Sequence, residues 1–159
     1  MMNTWFTEII RNANESIFSE SDLTRIMAYY ASMPARLKLS EELEKLEPSL
    51  TRKLHNELSN RYPGRRLYSR RLVQDIVESL RHINRAILAD DMRLLRYRWI
   101  DHLLEVGAAL NLDMQEIRDA YVVLGEILQA KLPRSAWALL EPVLAEINDA
   151  LTRGPALRV

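Results

Sequence analysis

Few side chains in this 159-residue chain have chemistry to offer, and their spacing limits what they can do. His55, His82 and His102 are the donors that a metal ion or a haem iron would use near neutral pH. They fall on three separate predicted helices, and no two histidines stand four residues apart, so nothing in the spacing preorganises a metal. His102 is the candidate haem ligand among them; the competing reading is a surface or capping histidine. Arginine supplies eighteen of the 22 basic side chains, and Arg61, Arg65, Arg66, Arg70 and Arg71 surround Tyr62-Pro63-Gly64. Its planar fork suits bidentate contact with carboxylates and phosphates. The cluster is either an anion site for propionates, phosphates or an acidic partner, or a solvated loop whose arginines pair with acidic flanks. The paired acids Asp90-Asp91 and Glu41-Glu42 read as helix-end or exposed-face charges. Tyr29-Tyr30, Tyr97, Trp99 and Trp137 offer rings for a planar ligand or for the core.

Other chemistry is excluded by what is missing. With no cysteine there is no thiolate nucleophile, no iron–sulfur cluster, no cysteine-ligated zinc and no thioether to a cofactor. There is no Gly-rich phosphate loop, no G-x-S-x-G turn and no serine set beside a histidine, so the expectation is a protein that is not an enzyme. The longest stretch without a charge is Ile26 to Ala35, ten residues, against the roughly 18 of a membrane span. The start, Met1-Met2-Asn3-Thr4-Trp5, has neither a basic region followed by an apolar core nor a cleavage site, which points to the cytoplasm. Charge balances at 22 against 22, but residues 52 to 98 hold twelve bases and five acids, while residues 1 to 51 hold five and eight. A pI near 6.9 lacks the basic footprint of nucleic-acid binders.

Helices must position these groups. Apolar residues make up 48% of the chain and recur at helical spacing with no sustained alternation, so an all-helical single domain is expected. Trp5, Phe6, Ile9 and Ile10 mark one face of a short helix ending near Asn14. Ser19 with Asp22 three residues later reads as an N-cap, followed by Leu23, Ile26, Met27 and Tyr30. Pro34 and Pro48 predict fresh helix starts, and Tyr62-Pro63-Gly64 a stop. The strongest stripe is Leu72, Val73, Ile76, Val77, Leu80, Ile83 and Ile87. A helix from about Arg96 to Leu110 follows, then one opened by Asp113 with Ile117, Tyr121, Leu124 and Leu128. After Pro133 the last helix carries Ala136, Leu140, Val143, Leu144, Ile147 and Leu151, with a bend expected at Pro142 and an end at Gly154-Pro155. Eight short helices suit globin-like packing better than a regular four-helix bundle.

This pattern resembles the phycobiliproteins, the globin-like light-harvesting subunits of phycobilisomes. The likeness is carried by Phe18-Ser19, Leu23, Arg25-Ile26, Ala31-Ser32, Arg36-Leu37, Leu43, Leu58 and Pro63. It resumes with Asp75, Leu80-Arg81 and Ala89 to Asp91, and continues through Glu105, Leu110 and Asp113. The resemblance implies an all-α, globin-like domain over 1–159, with an N-terminal helical pair (1–33) for dimerisation in front of a globin core (34–153).

It also shows what has been lost. In the family a long-helix cysteine tethers a linear tetrapyrrole, an arginine holds a propionate and an aspartate meets the pyrrole nitrogens. The corresponding positions are Leu72, Gln74 and Asp75, and the neighbouring aromatic positions are Glu78 and Ser79. Covalent bilin attachment is excluded, and with it ordinary antenna function. The resemblance implies a dimer built on Trp5, Phe6 and Ile9, with Asn12 and Arg81 at the positions of a former ion pair; the alternative is that the first helix folds back on its own domain.

A cysteine-free relative is most similar to the bilin-biosynthesis-associated globins. It would be an accessory or regulatory factor that binds a bilin noncovalently or docks on a haem oxygenase or bilin reductase. Asp75, Gln74 and Leu72 would then face the pigment, with Arg66, Arg70, Arg71 or Arg81 on its propionates. Asp75 is otherwise a surface carboxylate near a helix N-terminus. The alternatives are a haem-binding sensor using His102 and a purely structural or adaptor dimer.

Overall fold

Helical periodicity is realised throughout the computed structural model, which describes residues 4–13, 18–64 and 70–154 and, of Arg70, the backbone alone. The elements are α1 (Thr4–Ala13), α2 (Glu20–Arg61), α3 (Arg70–Ala89), α4 (Met92–Leu95), a π turn (Arg96–Ile100), α5 (Asp101–Ala109), α6 (Met114–Lys131) and α7 (Arg134–Arg153). The backbone stays helical from α4 through the π turn into α5, so the described residues form six rods and no strand. None of these helices is long and apolar enough to cross a membrane.

α2 corrects the expectation of new helices at Pro34 and Pro48. It runs unbroken for 42 residues through both prolines. Each proline withholds one amide from the carbonyl four residues earlier, on Tyr30 and Glu44, and both of those residues lie on the exposed face where water can supply the donor. Meanwhile Leu39, Leu43, Leu50, Leu54 and Leu58 are buried along the other face and hold the rod together. Its start behaves as the sequence implies: the Ser19 side chain accepts from Asp22 N at 3.1 Å, and Asp22 Oδ2 accepts from Ser19 N at 3.1 Å.

α2 packs against α3 and against the α6–α7 pair, and the predicted stripes of these helices meet in the core. Val73, Ile76, Val77, Leu80, Ile83 and Ile87 are buried, as are Ile117, Tyr121, Leu124 and Leu128 and the whole α7 face. The helix expected from Arg96 begins earlier, at Met92, because Asp91 caps it; the π turn then adds a residue to one turn and directs Ile100 inward.

The corner joining α3 to α4 is densely hydrogen-bonded. A helix end leaves its last carbonyls without intrahelical donors. Here Ala86 O accepts from Asp91 N (3.0 Å) and Ile87 O from Asp90 N (3.1 Å), with Asp90 in the left-handed region at φ 51°. Arg36, 3% exposed, donates through Nη1 to Ile87 O (3.3 Å) and Leu88 O (3.0 Å). Tyr29 Oη also donates to Leu88 O (3.2 Å), and Trp5 Nε1 donates to Ala89 O (3.4 Å). The Arg36 cation lies at the negative end of α3 and over the Tyr29 ring, 4.2 Å from its centroid.

Asp91 completes the corner by capping two helices. It accepts from Arg93 N at 3.1 Å to start α4, and from both Thr4 N and Thr4 Oγ1 at the start of α1. Burial pushes its carboxyl up, but the hydrogen bonds from Thr4 and Arg93 and the Arg93 charge outweigh this and hold it below its ordinary range.

Asp91→Ala is expected to cost about 2–4 kcal/mol in denaturant unfolding, since two helix starts lose their acceptor. Because the folded carboxyl is depressed, its contribution is complete above the unfolded range near ~4 and disappears as pH falls through the folded value. The acid limb of the stability profile should therefore be shallower in the variant. Pro48→Ala should raise stability by about 1–3 kcal/mol, by restoring a helical amide on an exposed face; an unchanged unfolding midpoint would contradict this account of α2.

Candidate functional site

Of the residues that the resemblance places around a pigment, the fold brings Gln74, Glu78 and Arg81 into one groove. Gln74 and Arg81 on α3 face Glu44, Glu47 and Thr51 on α2 across a cleft of about 530 Å³, with Val77 and Glu78 also lining it. Leu72 is half-buried and packs on the core, while Asp75 and Arg71 are exposed; none of the three lines this groove. Arg66 and the side chain of Arg70 lie outside the described residues.

Arg81 and Gln74 are already engaged by groove glutamates. Arg81 Nη2 and Nε reach Glu47 Oε1 at 2.6 and 2.9 Å, tying α3 to α2, and Gln74 Nε2 donates to Glu78 Oε1 at 2.9 Å. Three glutamates against one arginine give the cleft an acidic lining, unlike a propionate site.

The histidines do not converge. His102 is exposed on α5 and His55 is half-buried on α2, its Nδ1 without a partner among the described residues. His82 is half-buried and lies flat on Trp99, with ring centroids 5.3 Å apart and planes 15° from parallel. Among the described residues no three acids or histidines are grouped to hold a metal ion.

The residues missed from the sequence are those of a buried polar chain behind His82. Trp99 Nε1 donates to Tyr121 Oη (2.7 Å), Tyr121 Oη donates to Ser79 Oγ (2.9 Å), and Ser79 Oγ donates to Ile76 O (2.5 Å). Every polar atom along it is satisfied, and burial pushes the Tyr121 phenol up to about 12. The chain pins the π turn and α6 to α3. Its signal was present: a serine and a tyrosine, each within or beside an otherwise apolar stripe, need partners once buried.

The residues assigned to a dimer face are divided. Trp5 and Ile9 are covered by their own chain, Trp5 edge-on to Tyr29 (5.4 Å) and beneath the Arg25 guanidinium (4.7 Å). α1 therefore folds back on its own domain. Phe6 is half-buried and Asn12 exposed, while Arg81 belongs to the α2–α3 groove. Left uncovered on α2 by the described residues are Leu23, Met27, Tyr30 and Leu37, 49%, 72%, 62% and 50% exposed, which follow one another at spacings of four, three and seven around the exposed Pro34. They make one stripe on the outer side of the rod.

Six packed rods, with α1 leading into a core of α2, α3, α6 and α7, define an all-helical protein of the globin-like class. The family model for phycobilisome proteins matches residues 9–151, and the chain belongs to that family. No curated protein matches it. Its lack of cysteine rules out a thioether-linked bilin.

Tyr121→Phe is expected to lower stability by about 1–3 kcal/mol, because Trp99 Nε1 and Ser79 Oγ then lose their shared partner inside the core. Thermal unfolding with Trp fluorescence checks this, and wild-type stability would show that the chain carries no weight.

Proposed function

We propose that this protein is a non-enzymatic, pigment-free accessory member of the phycobilisome family. It works as a homodimeric adaptor in the metabolism of linear tetrapyrroles, docking on an enzyme such as a haem oxygenase or bilin reductase. The observation that carries this reading is the stripe of Leu23, Met27, Tyr30 and Leu37. Large apolar side chains aligned over several turns and open to water mark a surface that is covered in the working state. The family membership supplies the tetrapyrrole context, and the missing cysteine directs the protein away from light harvesting.

A second reading is noncovalent binding of a bilin in the α2–α3 groove. Its volume of about 530 Å³ and the presence of Gln74 and Arg81 favour it. The acidic lining and the engagement of Arg81 by Glu47 weigh against it.

Sedimentation of the full chain should show a dimer. Met27→Glu together with Tyr30→Glu should give a monomer with unchanged helicity, because both side chains are exposed and leave the core untouched. A parent protein that stays monomeric at every concentration would defeat the adaptor reading. Saturable shifts in biliverdin absorbance that Arg81→Ala abolishes would establish the second reading instead.

A further inference from the structure

A second cleft opens on α2, beside the groove that this helix shares with α3. Its volume is about 420 Å³, and its described lining is Pro48, Thr51, Arg52 and His55. Pro48 and Thr51 border the groove as well. The four residues follow one another at spacings of three, one and three, which sets them on one face of the helix. The cleft therefore gathers a hydroxyl, a guanidinium and an imidazole. Arg52 is exposed, while Thr51 and His55 are half-buried. Among the described residues, none of these three polar side chains is engaged in a hydrogen bond or ion pair.

Acids keep away from this face. From Pro48 to Asn56 the chain has no acid, and none stands three or four residues from Arg52 or His55. The nearest in sequence are already held. Glu47, one turn before Thr51, lines the groove and is bound by Arg81 at 2.6 Å. Glu57, two residues beyond His55, is bound by Arg61 at 3.6 Å. The His55 ring has a defined polarity as well. Its Nδ1 is sealed from solvent without a partner among the described residues, so a proton there would be a buried donor with no acceptor. The neutral ring keeps its proton on Nε2, which makes that nitrogen the donor at the cleft.

A guanidinium fork, a hydroxyl and an imidazole N–H around one cleft, with no acid in its described lining, are the donor set of an oxyanion site. We infer that Thr51, Arg52 and His55 bind the phosphate group of a small molecule in this cleft. Phosphate presents acceptors in several directions and can meet three donors spread along a helical turn. A carboxylate has two oxygens in one plane and leaves a donor unmet. The volume falls in the range of roughly 300–1,000 Å³ typical of small-molecule sites, more than a bare ion fills. The ligand is therefore an organic phosphate ester, with the Pro48 ring beside its organic part. The cleft lies beyond the stripe of Leu23, Met27, Tyr30 and Leu37, and the site stands independently of the adaptor reading.

The ring nitrogens of His55 in the full chain, followed by NMR, test this. Phenyl phosphate, inorganic phosphate and succinate are titrated in separate arms, with chloride holding ionic strength constant. Phenyl phosphate should shift Nε2 saturably and more tightly than inorganic phosphate does. Arg52→Gln should weaken binding about tenfold and Thr51→Val about threefold, with far-UV dichroism unchanged. Lys38→Gln, which removes an equal charge from an exposed position elsewhere on α2, should bind as the parent does. Shifts that merely track chloride, an Arg52→Gln protein that binds as tightly as the parent, or a Lys38→Gln protein weakened as much as Arg52→Gln would overturn the site. Inorganic phosphate bound as tightly as the ester would overturn the assignment to an ester and give the site to the free ion. Saturation by succinate alone would overturn the preference for phosphate.

Discussion

The last carbonyls of α3 end inside the protein, and the need to give them donors organises much of what surrounds them. Two are met by the backbone of the Asp90-Asp91 turn, and the others require side chains from elsewhere. Arg36 and Tyr29 come from the leading half of α2 and Trp5 from α1, so both helices must cross this corner. Asp91, facing the other way, accepts from the starts of α1 and α4 and fixes where the next rod begins. Once Tyr29 and Arg36 are turned inward, helical geometry leaves Met27, Tyr30 and Leu37 facing out. The exposed stripe is thus a consequence of the same constraint that buries the corner.

A buried arginine without a carboxylate would ordinarily be costly. Arg36 is stabilised by carbonyl dipoles at a helix C-terminus, by Ser32 Oγ at 2.9 Å and by the face of Tyr29. The second polar device, the chain from Trp99 through Tyr121 and Ser79, does for the π turn what Arg36 does for the corner. The resemblance to pigment-bearing relatives assigns an aromatic residue to the position of Ser79. In this chain a small hydroxyl stands there, fully buried, and serves internal packing. Beside it, the ion pair of Arg81 with Glu47 crosses the groove and ties α3 to α2. The chain belongs to the phycobilisome family, and in it Ser79 and Arg81 of α3 bond to other helices of the same chain.

Much of this was legible beforehand, because burial of a stripe and capping of a helix start are local properties. The α3, α6 and α7 stripes lie in the core as their periodicity requires, and Ser19 and Asp113 cap helices, accepting from Asp22 N and Gln115 N. Proline misled for the same reason. Its cost is local, whereas the packing that carries α2 through Pro34 and Pro48 comes from leucines spread over the rod and from helices distant in sequence. The residues assigned to a pigment do not all meet in one groove. A helix turns about 100° per residue, so Gln74 and Asp75 cannot share one face, and only the former reaches the groove.

The sequence by itself determined that the chain is helical, that it shares the phycobiliprotein pattern and that no sulfur remains to tether a pigment. These follow from residue types and spacings along one strand of covalent structure. Tertiary structure alone decided that α1 folds back, that Asp91 serves two helices, and that Leu23, Met27, Tyr30 and Leu37 stay uncovered by the described residues. Those outcomes depend on which buried polar groups find partners across 50 to 90 residues of chain, as Arg36 with Leu88 or Thr4 with Asp91, and no local spacing encodes such a meeting.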